Sequence, residues 1–190
     1  MSEDCGLKEK LMTMRDFIMR FLTLSCKTIV WPLELSESKY NLIAYLAQHN
    51  LFDQIPALLN DVDQSPSLCG VTGPSMINVW LGTGGTRTPL HFDTYDNLFV
   101  QIVGSKYVRL YESTEVDKIY VLKESDHHYG KQGNMSSLNC EREDYDKHPL
   151  AKDAIFTETL MLPGDCLFIP KRTWHYFRSL STSISINYWW

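Results

Sequence analysis

His91 and Asp93 stand two positions apart in the stretch Pro89-Leu90-His91-Phe92-Asp93, and His175 closes a second stretch, Leu167-Phe168-Ile169-Pro170-Lys171-Arg172-Thr173-Trp174-His175. Residues i and i+2 of an extended strand face the same side, so the first stretch points one imidazole and one carboxylate into one space. The second reads as a strand, a Pro-led turn and the start of another strand, which delivers a further imidazole from far along the chain. Two imidazoles and one carboxylate are the ligand set of a non-haem Fe(II) centre. They hold one face of the metal and leave the other positions open for substrate and oxygen. The chemistry expected of these residues is that of an Fe(II)-dependent oxygenase. A structural zinc site asks for four protein ligands, usually with thiolates, and no cysteine pair accompanies this set. Catalytic zinc on three ligands stays open on ligand type alone.

A His-x-Asp triplet also arises by chance, and a histidine on an apolar strand is more often hydrogen-bonded within a core than bound to metal. The framing separates these histidines from the rest. His91 follows the turn cluster Gly82-Thr83-Gly84-Gly85 and precedes a hydrophobic strand, and His175 follows Pro163-Gly164-Asp165-x-Leu167-Phe168-Ile169-Pro170. His127 and His128 are the competitors for metal, but their polar surroundings read as a solvated loop, and His49 and His148 read as surface residues.

The elements that must position the three ligands follow from periodicity. Residues 7–24 carry Leu7, Leu11, Met14, Ile18, Phe21 and Leu22 at three- and four-residue steps, an amphipathic helix packed on a core. Trp31-Pro32 ends that pattern. A strand is expected over Tyr40–Gln48, a short helical turn interrupted by Pro56 over Asp53–Leu59, and a loop over Asp61–Pro74. From residue 75 the period becomes two. Strands are expected at Ser75–Leu81, Asn97–Val103, Lys106–Tyr111, Phe156–Leu162, Cys166–Ile169, Tyr176–Leu180 and Ser183–Trp190, with Gly104-Ser105 as a two-residue hairpin turn. Residues 112–153 are polar and charged, a long insertion expected to be surface loop with a helical turn or two. Short strands at regular spacing after one helix describe a mainly β sandwich or barrel.

Composition bounds the function classes. The chain has 190 residues, 44% hydrophobic and 12% aromatic, which suits one domain with a sizeable core and not a disordered segment. A net charge of −5 leaves no electrostatic footprint for nucleic acid or an anionic membrane. Cys5, Cys26, Cys69, Cys140 and Cys166 are odd in number and form no Cys-x-x-Cys pair, the usage of reduced intracellular thiols. Charged residues precede any apolar run, so no secretory signal is expected, and no apolar run is long enough to span a bilayer. Nucleus and cytoplasm are both expected compartments.

A wider set of motifs carries a resemblance. Trp80-Leu81-Gly82, Thr88-Pro89-Leu90-His91-x-Asp93, and Asn97-x-x-x-Gln101-x-x-Gly104-x-Lys106-Tyr107-x-Arg109-Leu110-Tyr111 resemble the core of the JmjC-domain 2-oxoglutarate oxygenases, as does Pro163-Gly164-Asp165-x-Leu167-Phe168-Ile169-Pro170 with Trp174-His175-Tyr176. Tyr45-Leu46-Ala47-Gln48-His49-x-Leu51-Phe52-Asp53-Gln54-Ile55-Pro56 and the ending Ser185-x-x-Tyr188-Trp189-Trp190 are most similar to the branch of lysine demethylase 8, or jumonji domain-containing protein 5. The resemblance covers the chain from about residue 10 onward. It implies a double-stranded β-helix, a cupin-like jelly-roll barrel with an N-terminal helix, and a single catalytic domain over residues 1–190 with the 112–153 insertion.

What the resemblance implies about chemistry is specific. Fe(II) on His91, Asp93 and His175 would use O2 and 2-oxoglutarate as co-substrates, giving succinate and CO2 while a C–H bond of a protein or peptide substrate is oxidised. 2-Oxoglutarate chelates the metal, and its far carboxylate needs a cation and hydroxyl donors within the barrel. Lys106 matches the cation, Tyr45 and Thr88 the hydroxyls and Asn97 a polar contact, while Trp80 reads equally as a wall of the pocket or as a core tryptophan. Without the family match Lys106 would read as an exposed turn lysine. Trp174 is expected to pack against His175, and Asn187 to be a supporting polar residue or an ordinary strand residue. The branch's two assigned reactions are hydroxylation at C3 of an arginine residue and demethylation of methyl-lysine on histone H3. Hydroxylation is ranked first, because the sequence has no reader domain, basic patch or evident aromatic cage. The family's domains begin upstream of this chain with a further strand pair, so a short N-terminal barrel edge is expected, either through truncation or in a genuinely short relative. The ending at Trp190, without the helices some JmjC proteins use to dimerise, gives the expectation of a monomer. A non-catalytic metal- or partner-binding barrel is the alternative from another class. Retention of Lys106, Tyr45 and Thr88 beside the metal ligands favours the enzyme.

Overall fold

The two-residue alternation that starts after Ser75 becomes a pair of antiparallel sheets. A computed structural model of the chain describes residues 10–22, 43–63, 66, 73–123, 133–142 and 144–190. It divides into two compact units, residues 1–42 and 43–190. Within the first, Thr13 caps a single turn of α-helix, α1 (Met14–Phe17), its Oγ1 accepting from the Asp16 amide at 3.0 Å. The chain continues as a π turn over Ile18–Leu22. The long helix expected over residues 7–24 is therefore shorter and irregular where it is described: residues 10–12 precede the Thr13 cap, and Leu11 of the expected stripe is fully exposed. Residues 7–9 and 23–24 lie outside the described residues.

The second unit holds β1 (Tyr45–His49), α2 (Leu51–Gln54), a 3-10 turn at Pro56–Asp61, and then β2 (Met76–Gly82), β3 (Arg87–His91), β4 (Asn97–Val103), β5 (Lys106–Tyr111), β6 (Phe156–Met161), β7 (Cys166–Ile169), β8 (Trp174–Ser179) and β9 (Ser183–Trp189). One sheet has the order β1-β2-β9-β4-β7 and the other β3-β8-β5-β6. From β2 on, the chain changes sheet at every step except β5 to β6, which is the winding of a jelly-roll sandwich and bears out the expected class. Phe99, Val108, Met161, Ile169 and Phe177, drawn from both sheets, pack between them. Among the described residues no helix is long and apolar enough to cross a membrane.

Two local expectations are corrected. Gly104-Ser105 does not close a hairpin, since β4 pairs with β7 and β9 while β5 pairs with β6 and β8. The turn instead carries the chain from one sheet to the other. Gly104 has φ +71, and a Cβ there would run into the carbonyl oxygen of Thr182, so glycine is required by the crossing rather than by a hairpin. The insertion is also more than surface loop. Ile119, Leu138, Cys140 and Ala151 from it are buried with Leu90, Tyr111, Trp174 and Tyr176 on the outer face of the second sheet. It adds a third layer behind the strands that carry both histidine ligands. The segment 40–42 of the expected first strand lies outside the described residues, and pairing is confined to Tyr45–His49.

Candidate metal centre

Hydrogen bonding between β3 and β8 sets His91 directly opposite His175. A register shift between Thr88 and His91 marks a bulge in β3. It lets Thr88 and His91 both line the same cavity although they are three apart. Asp93 lies just past the end of β3, and its carbonyl accepts from the Arg172 amide at 2.8 Å, which ties the third ligand to the turn before β8. The insertion supports the other side: the Phe92 amide donates to Asn134 O at 3.1 Å and the Ser136 amide to Leu90 O at 2.9 Å, so Asn134–Ser136 runs beside the His91 segment. Trp174 faces away from the site and meets Phe92 edge-on at 5.0 Å, not His175 as expected, because strand alternation sends it outward.

The potential ligand atoms of His91, Asp93 and His175 all lie within 4.8 Å of one another. The Nε2 atoms sit 3.7 and 3.5 Å from the two Asp93 oxygens. Each Nδ1 is 2.9 Å from a carbonyl two residues back, Pro89 for His91 and Thr173 for His175. A carbonyl only accepts, so Nδ1 carries a proton in each ring and Nε2 is the atom that faces the shared space, the arrangement of a metal-ligating imidazole. Burial, reinforced by the facing His175, pulls His91 down to about 4 and keeps it neutral. Burial alone would raise the Asp93 carboxyl, but the hydrogen bond and charge of His175, with His91, hold it below its ordinary range. Two imidazoles and a carboxylate are the donor set that fits a divalent first-row metal, and Fe(II) in particular when further positions stay open.

The cavity in front of these ligands is lined by Tyr45, Trp80, Thr88, Asn97, Phe99, Phe177 and Asn187. The Tyr45 hydroxyl lies 3.3 Å from Thr88 Oγ1, and burial pushes its phenol up to about 12. Tyr45 faces Gly82 across the sheet, and a Cβ at Gly82 would come within 2.8 Å of its ring, so glycine there leaves room for it. Lys106 is 1% exposed, with Nζ 5.7 Å from the Tyr45 ring and 5.0 Å from the Phe99 ring. It starts β5 on the inner face and is no solvent-exposed turn lysine. Burial draws its ammonium down to about 7, and no carboxylate among the described residues pairs with it. A buried cation in want of an anion, near the ring of Tyr45, fits a dicarboxylate co-substrate.

All eight expected site residues therefore meet in one unit. Phe99 and Phe177 had not been anticipated, although each is two positions from an expected site residue, Asn97 and His175, so strand alternation would have placed them on the same inner face. The other histidines differ from their expected surface roles. His148 is half-buried against the Tyr120 ring at 4.6 Å, and His49 is half-buried on β1. His127 and His128 lie outside the described residues.

A jelly-roll sandwich that presents two histidines and an aspartate at one mouth defines a class, the cupin-type metal proteins. The profile described as "Cupin-like domain" matches residues 3–190, and the chain belongs to that family. Within it the chain is similar to JmjC proteins. It is 40% identical to JmjC domain-containing protein F of Dictyostelium discoideum over 95% of this chain and 42% of that one. It is 37% identical to lysine-specific demethylase 8 of Xenopus tropicalis, over 98% of this chain and 39% of that one. For Jumonji C domain-containing protein 5 of Drosophila melanogaster the figures are 35%, 96% and 43%. The chain thus spans about two fifths of the length of these curated relatives.

Proposed function

We propose that this chain is an Fe(II)- and 2-oxoglutarate-dependent oxygenase that oxidises a side chain of a protein substrate. The observation that carries the reading is the pairing of a three-ligand centre with the buried, anion-seeking Lys106 in one barrel. His91, Asp93 and His175 would hold the metal through Nε2, a carboxylate oxygen and Nε2. Lys106 would neutralise the far carboxylate of 2-oxoglutarate, with Tyr45 and Thr88 as hydroxyl partners and Asn97 as an amide contact. Fe(II) at such a site couples decarboxylation of 2-oxoglutarate by O2 to oxidation of a C–H bond, with succinate and CO2 as co-products. This chain's own residues do the rest: the Pro89 and Thr173 carbonyls fix the imidazoles, and Trp80, Phe99 and Phe177 wall the cavity and exclude water. The reading takes residues 1–190 as one catalytic domain acting as a monomer in the nucleus or cytoplasm.

For the target we infer hydroxylation of an arginine side chain at C3, the first-ranked of the two reactions that the resemblance of the motifs implies. The second reading, demethylation of methyl-lysine, is favoured by the names of several relatives, lysine-specific demethylase 8 among them. Both begin with oxidation of a C–H bond, and products separate them. Peptides carrying arginine or methyl-lysine are incubated with protein, Fe(II), 2-oxoglutarate and ascorbate, then read by mass spectrometry with a succinate assay. A gain of one oxygen on arginine with matching succinate supports hydroxylation. Loss of a methyl group with formaldehyde supports demethylation and overturns the arginine assignment.

A further inference from the structure

A line of three hydrogen-bonding side chains crosses the inner face of the first sheet behind the cavity. The Trp80 indole Nε1 donates to Asn187 Oδ1 at 2.9 Å, and Asn187 Nδ2 donates to Asn97 Oδ1 at 3.1 Å. They stand on three neighbouring strands, β2, β9 and β4, with Asn187 1% and Asn97 4% exposed. An indole N–H can only donate. Asn187 must therefore turn its oxygen to Trp80 and its NH2 to Asn97, and Asn97 must receive that NH2 with its own oxygen. The Asn97 NH2 is left over. It has no partner among the described residues, and Asn97 lines the cavity that the metal ligands share.

We propose that Trp80 and Asn187 are positioning residues that fix the polarity of Asn97, so that the pocket offers an N–H and never a carbonyl oxygen to the bound co-substrate. The inference rests on the 2-oxoglutarate reading and adds to it a reason for half-buried Trp80 and buried Asn187, neither of which is among the metal-ligand group. A free asparagine turns either end to a ligand, and half of its orientations would set oxygen against oxygen. The donor-only indole removes that freedom, at a distance, through one intervening amide. The pocket is thereby biased toward acceptor-rich anions such as a 2-oxo acid.

The test uses the full chain loaded with Mn(II), which binds the same donor set without turnover, and titrates 2-oxoglutarate calorimetrically. Asn187→Asp keeps an acceptor for Trp80 but presents an acceptor to Asn97 as well. Asn97 must then reverse and show its carbonyl to the ligand, and the Kd for 2-oxoglutarate is expected to rise about tenfold or more. Trp80→Phe removes the donor that sets the direction while keeping an aromatic ring in the cavity wall, and a smaller rise, about threefold, is expected. In both variants the Mn(II) Kd stays at the wild-type value. An unchanged 2-oxoglutarate Kd in folded Asn187→Asp overturns the proposal. So does a parallel loss of Mn(II) and 2-oxoglutarate affinity in Trp80→Phe, which is the signature of loosened packing. If Asn187→Asp does not fold, Trp80→Phe decides alone, since an unchanged 2-oxoglutarate Kd there equally overturns the proposal. Wild-type protein that binds Mn(II) but no 2-oxoglutarate is a separate outcome. It removes the co-substrate reading and this inference with it.

Discussion

Lys106 is the residue at which stability and function pull in opposite directions. Its folded pKa of about 7 lies below the ordinary value of 10.5 because burial disfavours the charged form. Between those values the unfolded chain holds a proton that the folded chain does not, so stability rises with pH through that window. Lys106→Met is expected to remove that slope between pH 7 and 10 in a denaturation series and to raise the melting temperature of the ligand-free protein at pH 7 by several degrees. The same substitution removes the cation that the carboxylate needs, and the Kd for 2-oxoglutarate should rise at least a hundredfold, as for a truncated buried charge pair. If Lys106 takes the far carboxylate as proposed, binding in the wild type requires the ammonium. Affinity for 2-oxoglutarate is therefore flat below pH 7 and falls about tenfold per unit above it, measured with Mn(II) in place of iron. A wild-type affinity independent of pH from 6 to 9 would contradict this account of Lys106.

The elements show where sequence reasoning reached and where it stopped. Strands β4, β5 and β7 have the bounds that alternation and flanking turns gave them, because each is bounded by glycine, proline or a charged turn. Partner choice was not readable in the same way. Gly104-Ser105 has the residues of a hairpin turn, yet its φ and the approach of Thr182 serve a crossing between sheets, a property of tertiary packing. Gly104→Ala is accordingly expected to cost about 2 kcal/mol or more in chemical denaturation, where a surface hairpin glycine would cost less. The insertion was misread for a related reason: its apolar residues are sparse among charges, and only the fold brings Ile119, Leu138 and Cys140 onto one sheet face. Glu141 anchors it, accepting from Arg178 Nε at 2.6 Å and from the Tyr176 hydroxyl at 2.8 Å. Glu141→Ala should lower stability by about 1–3 kcal/mol and speed hydrogen exchange at Asn134–Ser136 without touching a metal ligand.

Across the whole molecule, the site draws on β1, β2, β3, β4, β5, β8 and β9, with Asp93 between β3 and β4, so it exists only once both sheets have closed on each other. That explains why the three metal ligands were legible from two motifs while the cavity's full lining was not: ligand identity is local chemistry, and a lining is a product of topology. It also means that ligands binding there stabilise the entire sandwich. Metal and 2-oxoglutarate together at about a hundredfold over their dissociation constants should add roughly 2.7 kcal/mol each if independent, a melting shift readily seen by calorimetry. The measurement that tests the central claim most directly is made without oxygen. Fe(II) and 2-oxoglutarate are added to the purified chain, and the visible metal-to-ligand charge-transfer band of the chelate is sought, with His175→Ala and Lys106→Ala alongside. The account predicts a band in the wild type, no band in His175→Ala, and a band in Lys106→Ala only at much higher 2-oxoglutarate. A folded wild-type chain that binds Fe(II) but gives no band at saturating 2-oxoglutarate would contradict it and leave a metal-binding barrel without this oxygenase chemistry.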